Sequence, residues 1–472
     1  MRWWALGAVT AGTFMTYLDN NVGNVALPTI QRDLGLTISG LEWVVSSYIL
    51  VFAGLMLVGG RLADVFGARR TFLGGLAVFT LASLAAGLAE SGGALVAARA
   101  VQGVGAALLT PTALALIGQI FPDPAERGRA IGIWSASGAL SMALGPITGG
   151  FISEHLHWGW IYLINVPIGV ATFALAFRTV RPAFQRVLRS LDLPGLAASA
   201  LALFALTYAL IEGESAGWTS PAILAAFGVF AAAAVAFVLA EWRAGEPMAD
   251  LSLFRQRVFG GGLLTSGIWS FGVFGIYFFS AMWLQNVLGF SPTEAGAAFV
   301  PMALVMGVTA VVSQRVSARL GVARTVALGT ALMGVAIFLM SRVGADGSYA
   351  DVAPWFILYG LGGGLMVPLT AAVLGGMPEG RAGVASGMFN VSREVFGLLG
   401  ITLLGAFLTS AQSASDLPPL LAFLDAYRFT LVVAAAVLLA GIPLALYTLR
   451  HVPARRQEED EPQAAATVGS SN

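Results

Sequence analysis

Polar residues in this chain are gathered into short breaks between long apolar runs. A helix that crosses a hydrocarbon core needs roughly 20 predominantly apolar residues, and the runs have that length. They predict fourteen helices, near residues 4–28, 42–61, 71–90, 94–119, 129–151 and 158–177, then 193–211 and 221–241, and finally 258–284, 294–316, 323–341, 353–376, 381–410 and 427–449. The tail at 450–472, with its Glu-Glu-Asp-Glu run, is predicted to be disordered. The first run follows Met1-Arg2 directly and lacks a basic leader, a short apolar core and a cleavage site in order, so it reads as an uncleaved first span.

Composition sharpens the picture. Of 472 residues, 57% are hydrophobic and 11% charged, with a mean hydropathy of +0.81. A water-soluble domain of this size needs far more charge on its surface, so the main solvent is lipid. The formal net charge is zero, which gives no electrostatic case for a nucleic-acid partner. The absence of cysteine removes disulfides, thiolate catalysis and cysteine metal sites. All 25 basic residues are arginine, the mark of a GC-rich coding sequence. Positive loops stay cytoplasmic. With the N-terminus inside, Arg32, Arg342 and Arg428 fall outside, Arg99 and Arg393 fall within spans, and the other 20 arginines are cytoplasmic. The same reading places the C-terminus inside.

A shift of about 254 residues aligns the two ends of the chain. Gly60–Arg70 matches Gln314–Arg324 at the first arginine, the glycine and the last arginine, and the pair Gly132 and Gly145 matches Gly387 and Gly400. Helices 1–6 therefore resemble helices 9–14, with helices 7 and 8 inserted between them. The predicted divisions are an N-terminal six-helix bundle at 1–190, an inserted pair with linkers at 191–257, a C-terminal six-helix bundle at 258–449, and the tail. Duplicated halves of this kind hold substrate near the midplane and move by rocking, a plan that suits a transporter and that an enzyme or receptor does not need.

Several polar residues interrupt the spans. Helix 1 carries Asp19 among Asn20, Asn21 and Asn24. A carboxyl deep in a span costs roughly 2.5–3.5 kcal/mol even on insertion scales, so it needs a partner, a water-filled cavity or a proton. It either binds and releases H+ or is held permanently by Asn20 or Asn24. Helix 4 carries Arg99 and Gln102, three apart and so on one face. Arg99 either takes part in proton transfer or ties down a carbonyl. Helix 5 carries Gly132, Ser141, Gly145-Pro146 and Gly149-Gly150. Small residues at that spacing let helices approach closely, and proline removes a backbone donor and bends the helix. Helix 13 carries Asn390, Arg393 and Glu394. Adjacent residues on a helix do not face each other, so Glu394 either binds a proton, attracts a cationic substrate, or forms an inert local pair with Arg393.

These segments resemble the major facilitator superfamily, specifically its fourteen-helix drug:proton antiporter branch. Leu18-Asp19-Asn20-Asn21-Val22-Gly23-Asn24-Val25-Ala26-Leu27-Pro28 is similar to the branch's helix-1 signature, with Asn21 in place of threonine. Gly60–Arg70 resembles the superfamily's loop between helices 2 and 3, in which Gly60, Asp64, Gly67, Arg69 and Arg70 would latch the cytoplasmic side of the outward-open state. Val65 and Ala68 stand where basic residues are usual, which implies a weaker latch. Arg99-Ala100-Val101-Gln102-Gly103-Val104-Gly105 and the glycines of helix 5 resemble the family's helix-4 and antiporter motifs, the latter with Ser141 where glycine is common. Trp158–Gly169 and Asn390–Glu394 resemble segments of the fourteen-helix branch, with Glu394 replacing glutamine.

The resemblance implies an all-α membrane protein of two six-helix bundles and a two-helix insertion. It implies a monomer in the bacterial cytoplasmic membrane that exports drugs, antibiotics or related amphipathic molecules in exchange for protons. The alternatives are a dedicated exporter of one metabolite or siderophore, and a sensor of the same fold that no longer transports. Asp19, Arg99 and Glu394 would couple protons, with Asn20, Asn24 and Gln102 in support. Trp269, Tyr277, Tyr359 and Met366 would line an apolar substrate pocket. No cofactor or metal is expected: Glu154, His155 and His157 read as a loop at the Trp-rich membrane edge, and Gly362-Gly363-Gly364 lacks the Lys-Ser/Thr of a phosphate loop. An ion gradient is left as the energy source.

Overall fold

The computed structural model describes residues 1–181, 192–244, 251–344, 347–375, 377 and 382–450. The tail at 451–472, the boundary near 190, and Arg186, Arg189, Arg381, Arg455 and Arg456 lie outside the described residues.

The described chain is all helical, with no strand among the described residues. Six spans come first: α1 (Arg2–Leu34), α2 (Ile38–Phe66), α3 (Ala68–Gly87), α4 (Gly92–Ile120), α5 (Pro124–His155) and α6 (Trp160–Thr179). An inserted pair follows, α7 (Leu193–Ala216) and α8 (Pro221–Arg243). The last six are α9 (Arg257–Asn286), α10 (Pro292–Leu320), α11 (Val322–Met340), α12 (Tyr349–Gly375), α13 (Ala382–Ser413) and α14 (Pro419–Leu449). Among the described residues, thirteen of these are long and apolar enough to cross a membrane. The fourteenth, α1, has the length, but Asp19, Asn20, Asn21 and Asn24 break its apolarity.

The helices run beyond the predicted limits because polar caps, rather than the apolar runs, end them. Thr37 accepts from the Gly40 N–H, Ser91 from Ala94, and Asp123 from Glu126. Ser291 and Glu294 form a reciprocal capping box at the start of α10. Gly67 joins α2 to α3 with φ +90°, a backbone conformation that side chains disfavour.

The two halves share a packing plan. α1 lies against α5 as α9 lies against α13, α2 and α3 flank α4 as α10 and α11 flank α12, and α3 meets α6 as α11 meets α14. The inserted α7 and α8 pack on each other, and α7 also touches α2 and α13, one helix from each half. Little of α8 is buried, so its apolar surface faces lipid. Loops alternate between two faces, one carrying the N-terminus and the other carrying the ends of α1, α3, α5, α9 and α13.

At that second face α5 and α10 are tightly joined. A Cβ on Gly150 would collide with the Pro292 carbonyl, and one on Gly296 with that of Pro146. The Thr293 N–H donates to the Glu154 carboxylate at 3.0 Å, and Gln285 of α9 donates to the Val25 carbonyl of α1 at 2.7 Å. Toward the N-terminal face the two helices part. Gly128, Arg129, Ile131, Gly132, Ile133, Ser135 and Ala136 are exposed around nearly all of α5, as are Val308, Val311, Val312, Gln314 and Arg315 on α10. The two bundles are thus closed at one face and open between α5 and α10 at the other.

Candidate functional site

Asp19 is sealed inside the first bundle. Its Oδ2 accepts from Arg99 Nη1 at 2.5 Å, and its Oδ1 accepts from Gln102 Nε2 at 2.9 Å and from Asn165 Nδ2 at 2.7 Å. Gln102 also accepts from Arg99 at 2.7 Å and donates to Ser83 at 2.8 Å. The guanidinium donates to the Val44 carbonyl at 3.4 Å and lies over the rings of Tyr48 and Tyr162. Asp19 is 1% exposed and Arg99 4%. Five helices, α1, α2, α3, α4 and α6, therefore meet at one ion pair, and both carboxylate oxygens of Asp19 are compensated. Removing either partner of a buried pair leaves a bare charge, a loss of about 3–5 kcal/mol.

The expected alternative, Asp19 held by Asn20 or Asn24, is not what the helix does. Asn24 donates to the backbone carbonyl of Asn20, and Asn21 to that of Tyr17. Sequence reading paired Arg99 with Gln102 through their spacing, but did not single out Asn165 or Ser83. The one signal for Asn165 was its place in the Trp158–Gly169 segment.

Glu394 has a different environment. It is half-buried on α13, facing α1, with Tyr17 of α1 and Tyr48 of α2 within electrostatic range. Its Oε2 is buried and has no hydrogen-bond partner. The Arg393 charge lies within electrostatic range, but no close ion pair joins it to Glu394 among the described residues: the Arg393 guanidinium lies over the Trp269 ring at 4.8 Å, and its carbonyl accepts from Ser270 at 2.7 Å. One turn away, Asn390 donates to the Ser386 carbonyl. These two carboxyls thus differ in kind, one with both oxygens hydrogen-bonded within a bundle and one with an oxygen left without a hydrogen-bond partner.

The glycines of α5 divide in the same way. A Cβ on Gly145 would strike Asn21, and one on Gly149 the Val22 carbonyl, so these set the close approach of α1 and α5. Gly150 and the Pro146 carbonyl serve α10, and Ser141 is buried with its hydroxyl on the Gly138 carbonyl. Gly132 departs from the expectation: a Cβ there meets nothing within 4 Å, because that half of α5 has parted from its neighbours.

Other expectations are corrected. In the last turns of α2, the close helix approach is made by Gly59 against the Ala107 carbonyl, whereas Gly60 is loosely packed. Asp64 forms no ion pair among the described residues, Arg69 turns to the Phe177 carbonyl at 2.7 Å and Arg70 faces solvent, as a latch expected in the outward-open state would be when the N-terminal face is open. Of the four residues expected to line a substrate pocket, Trp269 is half-buried beneath the Arg393 guanidinium. Tyr277 stacks on Phe299 inside the second bundle, Tyr359 is 1% exposed, and the Met366 sulfur is covered by Thr330. Helix packing, which their sequence positions do not encode, turns these three inward. His157 lies 3.3 Å from Asp33, and His155 stacks on Phe151.

Known proteins agree with this architecture. The family described as Major Facilitator Superfamily matches residues 9–401 and again 263–470. Among similar proteins, the puromycin resistance protein pur8 of Streptomyces alboniger is 38% identical, over 88% of this chain and 83% of its own length. The methylenomycin A resistance protein of Streptomyces coelicolor is 37% identical, over 86% and 85%. The tetracenomycin C resistance and export protein of Streptomyces glaucescens is 33% identical, over 99% and 95%. A solved bacterial homologue of the human lysosomal transporter Spinster, in an inward-facing and unoccupied conformation, shares the fold with a TM-score of 0.67 at 16% identity, covering 96% of this chain and 97% of that one. The chain is a multi-pass membrane protein that takes a small-molecule substrate, and it belongs to the major facilitator superfamily of transporters rather than to any class of enzyme.

Proposed function

We propose that this transporter exports drugs or antibiotics in exchange for protons by alternating access, as a monomer in the bacterial cytoplasmic membrane with both termini inside. The observation that carries the reading is the buried Asp19–Arg99 pair, held by Gln102 and Asn165. A proton on Asp19 removes the charge that Arg99 answers, so proton binding is linked to a rearrangement of α1, α4 and α6. Glu394, whose Oε2 has no hydrogen-bond partner, supplies the negative charge that a cationic substrate or a second proton requires. The relatives support export, since their names record resistance or export of an antibiotic.

In the cycle, the closed face is the outer one and the bundles now open to the cytoplasm. Substrate enters between α5 and α10, the bundles rock, and protons from outside load Asp19 as substrate leaves. Return to the inward-open state releases the protons. A membrane potential contributes about 2.3 kcal/mol per charge per 100 mV. A second reading, export of a single antibiotic, is favoured by relatives named for one compound each.

Energised everted vesicles with a pH-sensitive dye test both readings. Adding a substrate to wild type is expected to release lumenal protons, and Asp19→Asn is expected to abolish the release. A panel of cationic, neutral and anionic drugs separates broad from single-compound specificity. Undiminished release in Asp19→Asn would remove Asp19 from the coupling.

A further inference from the structure

A third carboxyl lies where the inserted helix α7 meets both halves. Glu42, in the second turn of α2, is 1% exposed, and its Oε1 is buried without a hydrogen-bond partner. Its carboxyl rests directly on Gly405 of α13, so closely that a Cβ there would overlap it.

The groups around it offer no countercharge. From α7 the facing group is Glu212, another carboxylate, held by Trp43 Nε1 at 2.8 Å and by Ser215 at 2.9 Å. The neighbouring Glu214 of α7 takes the Ser410 hydroxyl of α13 at 2.7 Å, while Thr409 is turned to the Gly405 carbonyl. From α4, Arg99 is committed to Asp19. Among the described residues no arginine or histidine forms an ion pair with Glu42. An ionised carboxylate buried without partner or cation is costly enough that such groups neutralise instead. Just beyond it, an open groove lined by Thr37, Ser39, Glu214 and Gln412 reaches solvent at the same face.

We propose that Glu42 is a second proton-binding site, loaded from the outer face and sealed between α2, α7 and α13 when that face closes. The inference rests on alternating access with this face as the outer one. When α2 and α13 separate there, water from the groove reaches Glu42 and its proton can leave. When they close on Gly405, the carboxyl must hold a proton. Closure of the outer face is therefore favoured by low external pH, independently of the Asp19 site.

The full-length chain in lipid nanodiscs provides the test. Because the chain contains no cysteine, Glu90→Cys and Leu417→Cys can be spin-labelled without background, and pulsed EPR then reads the distance across the outer face without any substrate. The long-distance population is expected to grow as pH is raised from about 5.5 to about 8.5, the range a carboxyl in a protein can reach. Glu42→Gln, which imitates the loaded form, is expected to stay closed throughout. Glu212→Gln keeps an acceptor for Trp43 but removes the repelling charge, and is expected to move the midpoint about one pH unit lower, tenfold in proton concentration. This second variant carries the test if Glu42→Gln does not assemble.

A wild type without pH response, a Glu42→Gln protein that still follows pH, or an unmoved midpoint in Glu212→Gln overturns the proposal. A response lost in Asp19→Asn and kept in Glu42→Gln assigns it to Asp19 instead. Loss of the response in Glu42→Gln alongside silent vesicles would leave this site standing while the antiport reading falls.

Discussion

The ion pair of Asp19 and Arg99 can be weighed by a double-mutant cycle. In Asp19→Asn the side chain keeps one acceptor for Gln102 and Asn165 but turns an amide N–H₂ toward Arg99, which sits 2.5 Å from the native oxygen. The guanidinium, 4% exposed, is then left with the oxygen of Gln102, the Val44 carbonyl and two aromatic faces. The expected loss is about 3–5 kcal/mol, the cost of an uncompensated buried charge. Arg99→Met places an apolar chain between Tyr48 and Tyr162 and strands Asp19, with a similar loss. The double variant buries neither charge, and replacement of a buried pair by neutral groups is often tolerated. It should therefore be more stable than either single variant, with a coupling of about 2–3 kcal/mol. Unfolding by SDS in mixed micelles, followed through the 11 tryptophans, gives the four free energies. Losses that add to within about 0.5 kcal/mol would refute the reasoning, because independent sites behave that way.

Other consequences follow from the same geometry. Gly145→Ala and Gly149→Ala drive a methyl group into α1 and should each cost about 1–3 kcal/mol, with efflux lost, whereas Gly132→Ala meets open space within a helix and should raise stability by about 0.5–1 kcal/mol in the same unfolding assay. Gly67→Ala forces a side chain into φ +90° and should cost about 1–2 kcal/mol in the same unfolding assay. Asn165→Ala removes a donor to a charged oxygen, an expected loss of about 1.5–3 kcal/mol, accompanied by slower substrate-induced proton release. Glu394→Gln should abolish vesicle uptake of cationic drugs while retaining that of uncharged ones, and equal losses for both would assign Glu394 to proton coupling.

The sequence determined by itself whatever depends on one helix at a time. Lipid accepts each span on its own apolarity, so the apolar runs predicted fourteen spans before any packing was known, of which thirteen are long and apolar enough to cross among the described residues, and the matching glycine spacings in α5 and α13 pointed to the duplication. Asp19, Arg99 and Glu394 were legible for the same reason, since a charge within an apolar run is conspicuous. Tertiary structure decided what each of them meets. Asp19 is joined by residues 80, 83 and 146 positions away, and no local spacing encodes which faces of α1, α4 and α6 converge. Packing also turned Tyr277, Tyr359 and Met366 into the second bundle and parted Gly132 from its neighbours. Glu42 was invisible in the sequence because it lies near the end of a span, where a carboxyl would ordinarily reach water. Only the contact of α2 with α7 and α13, the inserted helix and the second half, removes that water and gives the carboxyl its chemistry.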